Sequence, residues 1–217
     1  MNRKFYTLML TPLLFVACSN NQPQATTQKE TLSPTVEKQS VEPTTQTEVV
    51  TAPSFKYTKD ASVLQSGMLH IKGFIGTLKP TLKSMLQQDP SHVTAMGACT
   101  SMATQMKNDY NSKTTDVKIR RTALKYRNPA NKPDTIDQEV MYRLQAVNNK
   151  KPVAVDLGGN HYRVYKPLQT EKACLICHGS NISPKIKSMI LKKYPTDLAT
   201  GFKLGEFRGA VVAEIQR

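Results

Sequence analysis

Apolar positions recur with a helical period across residues 60–88, at Val63, Leu64, Met68, Ile71, Phe74, Ile75, Leu78, Leu82, Met85 and Leu86. The pattern predicts one long helix with a single face against a core. Pro80 removes a backbone donor from its second half and is expected to kink or interrupt it. Asp89-Pro90-Ser91 ends the pattern, and Ser91 is a candidate N-cap for a second helix over 92–108. Its apolar face carries Val93, Met96, Cys99, Met102, Ala103 and Met106. The periodicity then changes. Residues 115–124 alternate as a strand, 127–135 are rich in turn formers, and 136–147 return to helical spacing with Asp134 or Thr135 near the start. Residues 152–156 and 161–167 read as strands joined by Gly158-Gly159-Asn160, a hairpin signal. A short basic helix over 183–194 and a closing strand over 205–215 complete the chain. Two N-terminal helices followed by hairpin-connected strands predict an α+β domain with an antiparallel sheet.

The N-terminus carries a different pattern. Arg3 and Lys4 precede 13 uncharged, largely apolar residues, 5–17. That run is too short to span a bilayer as a mature helix and has the layout of a secretory signal. Small Ala17 stands directly before Cys18, as in a bacterial lipoprotein signal whose Cys is lipidated, although Phe15 stands where such signals carry Leu. The alternative is an ordinary signal peptide with an incidental Cys18. The expected organisation is a signal at 1–17, a polar tether at 18–56 and a folded domain at 57–217. The tether is rich in Thr, Gln and Pro and holds no aromatic residue before Phe55, so it is expected to lack the apolar surface that offsets chain entropy. The expected location is the periplasm or cell envelope, with a lipid anchor at Cys18.

Charge narrows the partners. The formal net charge of the 217 residues is +14, and residues 57–217 hold 25 Lys and Arg against 12 Asp and Glu, a net of +13. A basic domain suits an anionic membrane surface or an acidic redox protein. Nucleic acid is not expected for an exported chain.

The sharpest chemistry is Cys174-Leu175-Ile176-Cys177-His178, a CxxCH. Two thiols on one helical turn can reach the two vinyl groups of a single haem, and the adjacent imidazole then faces the iron. The competing readings are a thiol–disulfide oxidoreductase using Cys174 and Cys177 and a structural disulfide within an envelope lipoprotein. Cys99 is the remaining thiol. On the apolar face of its helix it is either a small buried hydrophobe or a thiolate ligand opposite His178, with Met96, Met102, Met106, His70, His92 and His161 as rivals. No nucleophile–base pair or paired acids are legible, so turnover of a substrate is not expected.

Four ordered stretches resemble a family of small bacterial single-haem domains: TAMGACTSMA (94–103), IRRTALKYRNPANKPD (119–134), YRVYKPLQTEKACLICHG (162–179) and YPTDLATGFKLGEFRGAVV (194–212). The resemblance implies a PAS-like fold carrying one covalent haem c with His/Cys axial ligation. It places the thioethers on Cys174 and Cys177 and the axial ligands at His178 and Cys99. Arg120, Arg121, Arg127 and Arg163 lie in the matching blocks and are candidate contacts to the haem propionates. The function implied is redox or ligand sensing, or single-electron transfer.

Overall fold

The computed structural model describes residues 55–217, the side chains of 98–100 excepted. The expected signal, Cys18 and the tether up to residue 54 lie outside the described residues. So does the side chain of Cys99. No helix of the described residues is long and apolar enough to cross a membrane.

Five strands, β1 (Lys56–Thr58), β2 (Val117–Thr122), β3 (Val153–Gly158), β4 (His161–Gln169) and β5 (Phe207–Gln216), form one antiparallel sheet in the order β1-β3-β4-β5-β2. The architecture is α+β. The last strand runs down the middle, pairing with β4 on one side and β2 on the other. Its side chains alternate between two cores. Val211, Ala213 and Ile215 join Val117, Ile119 and Val164 under α1 (Ala61–Gln88), which contributes Val63, Ile71 and Phe74. Ala210 and Val212 join Val155 and Tyr165 under Val140, Met141 and Leu144. These last three belong to α4 (Thr135–Ala146), which follows α2 (Val93–Thr100) and α3 (Met102–Asn111). Fully burying a side chain such as Ile71 or Phe74 contributes about 1.5–3 kcal/mol. The two apolar faces therefore dictate a sheet covered on both sides.

The helix starts follow from side-chain caps. Asp60 accepts from the N–H groups of Ser62 and Val63, and Asp134 from that of Asp137. Gly67 allows α1 to close on the sheet, because a Cβ there would lie 2.5 Å from Val164 Cβ. Helix α1 continues through Pro80 without a break in its helical span. Around the proline, Thr77 donates its hydroxyl to Phe74 O and Thr81 donates to Thr77 O, so nearby carbonyls keep extra donors.

Two expectations change. The single helix over 92–108 is two helices that break at Ser101, whose hydroxyl donates back to Gly97 O at 3.1 Å and competes with the backbone ladder. Three helices thus precede β2. Asp89 rather than Ser91 makes the close bonds at the start of α2, accepting from Ser91 N and Thr94 N at 2.8 Å each, while His92 turns the chain at φ 58. The strand β1 is one the periodicity did not reveal, since three residues are too few to alternate visibly. The expected hairpin is present: Gly159 and Asn160, at φ 58 and 61, make the two-residue turn between β3 and β4.

Candidate functional site

The CxxCH turn sits where β2 and β4 end and β5 begins. Thr170 closes β4 by donating its N–H to Glu206 O and accepting from Gly205 N, both at 2.8 Å. Glu171 then caps a 3-10 turn, Lys172–Cys174, which runs into the one-turn helix α5 (Leu175–His178). Gly179 ends that turn so tightly that a Cβ would lie 2.6 Å from Leu175 O. The chain returns as a strap over the turn: Gly201 N donates to Gly179 O at 3.0 Å and Phe202 N to His178 O at 2.9 Å. Arg127 adds a third tie, from Nη2 to Cys177 O at 2.6 Å.

This strap sets the state of His178. Its Nδ1 lies 2.7 Å from Ala199 O, and a carbonyl can only accept, so Nδ1 carries the proton. Burial, with the guanidiniums of Arg208 and Arg127 nearby, holds the imidazolium pKa well below the ordinary range. The ring is neutral, and Nε2 keeps its lone pair. That is the arrangement of a metal-ligating histidine, oriented through its other nitrogen.

Cys174 and Cys177 are free thiols on the same turn. Cys174 Sγ accepts from Glu171 N at 3.4 Å. Cys177 packs against a small apolar cluster made by Met96 of α2 and by Ile186 and Ile190 of α6 (Pro184–Lys193). Burial pushes its thiol pKa up, against the pull of Arg127. Cys99 follows Met96 three residues later on α2. The cluster therefore brings this helix to the CxxCH turn, although the two are far apart in sequence.

The candidate arginines divide. Arg127 is at the site, but its charge is committed to Asp197: Nη2 stands 3.0 Å from the buried Oδ2 without aiming an N–H bond at it. Arg121 is close enough to repel positive charge at both His178 and Arg208. Arg120 and Arg163 lie on the α4 face, where they pair with Asp134, Asp137 and Glu214. Sequence reasoning missed Arg208, which is in the fourth matching stretch and carried no local signal to set it apart from other bases. It packs between His178 and Phe202, with Nη2 3.2 Å from Nδ1 and 3.4 Å from Nε2, and its Cζ 4.8 Å from the Phe202 ring centre. His70 lies away from this turn, 3.3 Å from Tyr110 OH, and His161 begins β4 at the other end of the sheet.

Two free thiols on one turn, an oriented neutral imidazole beside them and a shielded guanidinium together fit a porphyrin that is bound through its vinyl groups and iron and bears carboxylates. The described residues contain no group of three or more His, Cys, Asp and Glu side chains placed to hold a bare ion.

The model of the Tll0287-like family (Tll0287) matches residues 20–215. Among solved structures, that of the cyanobacterial heme-protein Tll0287 is similar, with a TM-score of 0.58 and 18% identity over 74% of this chain and 98% of that one. At that identity the likeness is one of fold. No curated protein matches.

Proposed function

The chain belongs to the Tll0287-like family, and on that premise we propose that it is a haem protein of the cell envelope acting in redox or ligand sensing or in single-electron transfer. The observation that carries this reading is the 2.7 Å contact between His178 Nδ1 and Ala199 O beside two free thiols. The relative of similar fold is itself a heme-protein. Cys174 and Cys177 would hold one haem c by thioethers, and His178 Nε2 and Cys99, the latter on α2, would bind its iron. When bound, the haem supplies a one-electron couple at iron, which a thiolate ligand biases toward the ferric state.

The protein's own residues do the positioning. The strap 199–202 fixes the proton on Nδ1 and the plane of the ring, while Met96, Ile186 and Ile190 shield Cys177 from water. In this reading the sheet is a PAS-like scaffold, Cys18 carries the lipid anchor, and the basic domain meets an anionic membrane surface or an acidic redox protein. The alternative, a thiol–disulfide oxidoreductase using Cys174 and Cys177, draws on the same two free thiols and is separated from the haem reading by whether the protein takes up haem.

The test is expression of the full chain with haem-maturation machinery. A visible haem spectrum and a haem stain that survives denaturing electrophoresis are expected, and both are lost when Cys174 and Cys177 are changed to Ala. Cys99→Ala should keep the stain but lose the thiolate-type ferric spectrum. A protein that takes up no haem and forms a Cys174–Cys177 disulfide would overturn the reading.

A further inference from the structure

Seven arginines lie among the described residues. Arg120, Arg127, Arg143, Arg163 and Arg217 each stand within ion-pair distance of a carboxylate. Arg208 has no such carboxylate among the described residues. It donates to neutral groups, Lys125 O at 3.3 Å and His178 Nε2 at 3.4 Å. Its electrostatic neighbours include two more guanidiniums, Arg127 and Arg121, with Asp197 beyond ion-pair distance and committed to Arg127. Burial and Arg127 pull its own pKa down to about 10. A cation is not shielded and crowded by like charges without a compensating anion unless something else supplies that anion.

The backbone places it there. The register of β4 with β5 steps from Leu168↔Gly209 to Gln169↔Phe207, leaving Arg208 as the extra residue of a bulge. Bulges re-aim side chains. The bulge is fixed by Gly209, at φ 135, where a Cβ would lie 2.5 Å from Thr122 O, so β5 can approach β2 only with glycine in that position. Directly across, both polar atoms of the Gln169 amide and the hydroxyl of Thr170 are buried without a partner. The bulge thus sets Arg208 against the axial histidine candidate, at the end of the strand pair where these buried polar atoms also lie.

We propose that Arg208 is a positioning residue for the haem, neutralising a propionate carboxylate through a charge-assisted hydrogen bond. This rests on the haem reading above. It replaces Arg120 and Arg163, whose charges are already matched by acids. Arg208 contributes a fixed positive charge beside the porphyrin, which favours the more negative reduced state, and it keeps the propionate ionised at neutral pH.

The experiment compares the full-length, haem-loaded wild type with Arg208→Gln and Arg208→Lys. The midpoint potential is measured from mildly acidic to mildly alkaline pH, and attachment is checked by haemochrome content. Arg208→Gln should keep covalent haem, lower the potential, and acquire a fall of potential with rising pH, because the released propionate now takes up a proton on reduction. Arg208→Lys should restore most of both. Isotope-edited infrared difference spectra, with the propionate carboxyl carbons labelled, should show a carboxylate band that moves between wild type and Arg208→Lys, so the proposal remains testable if Arg208→Gln does not mature. An unchanged potential, a fall of the same size at every pH, or an unmoved carboxylate band would overturn it. Wild-type protein without covalent haem would instead defeat the underlying haem reading.

Discussion

Two corners of one sheet gather arginines, and they differ in how the charge is matched. Under α4, Arg120 grips Asp137 with two N–H groups at 2.6 and 2.9 Å and reaches Glu214 with Nε at 2.8 Å. Arg163 pairs with Asp134 at 2.7 Å, and the Tyr165 hydroxyl donates to Asp137 at 2.8 Å. Two cations meet three acids there. Beside the CxxCH turn, Arg127 and Arg121 both press on Arg208, Arg127 stands 3.0 Å from Asp197, and no carboxylate among the described residues is within ion-pair distance of Arg208. The balanced corner commits its charge to holding α4 on the sheet. The unbalanced one retains positive charge that a bound anion can use. Residue type alone does not separate these roles; the supply of nearby carboxylates does.

The balanced corner should break most severely. Asp137→Ala leaves Arg120 and part of Arg163 without their buried partner, and the expected loss is about 3–5 kcal/mol. Thermal unfolding of the purified domain would measure it. A loss no larger than that of an exposed pair would mean the network is ornamental.

At the other corner, Gly179→Ala drives a Cβ into Leu175 O, with an expected cost of about 1–3 kcal/mol as the turn shifts. Haem attachment should fall as well, because the same shift moves His178 relative to the thiols. A variant as stable as wild type but poor in haem would separate the site's geometry from its stability.

Tyr165→Phe is a gentler probe. It removes one of several donors to Asp137 and should cost about 1 kcal/mol, leaving haem content unchanged. The pH dependence follows the same group. Burial alone would raise the Asp137 pKa, yet the bonds from Arg120 and Tyr165 and the charge of Arg163 hold it below the ordinary carboxylate value. Its contribution is therefore complete above the unfolded-state pKa of about 4 and is lost as pH falls through the lower folded value. Acid unfolding of Asp137→Asn should lack that portion of the transition.

The smallest effect is expected at the surface. Lys185, Lys187, Lys192 and Lys193 are exposed on α6, and Lys192 and Lys193 also complement the helix C-terminus. Binding to anionic vesicles should weaken as salt rises. Binding that is unaffected by salt would leave the positive charge as simple solvation.

Much of this protein is determined locally and is readable in the chain. The period of residues 60–88 specifies α1, the Gly-Asn pair specifies the hairpin, and the CxxCH spacing puts two thiols and an imidazole on one turn whatever surrounds them. The break at Ser101, by contrast, depends on a hydroxyl–carbonyl bond that competes with an otherwise continuous apolar face. Strand order, and with it the closeness of residues 127, 178, 199 and 208, comes from long-range pairing, which no local pattern encodes. The proton on His178 Nδ1 depends on a carbonyl 21 residues away. The fate of each arginine depends on acids that only folding brings near. Asp137 reaches Arg120 because α4 packs on β5, the neighbour of β2, and among the described residues no carboxylate comes within ion-pair distance of Arg208, the extra residue of the β5 bulge. Sequence fixes covalent chemistry and local period, while distances between charges exist only once the sheet has closed.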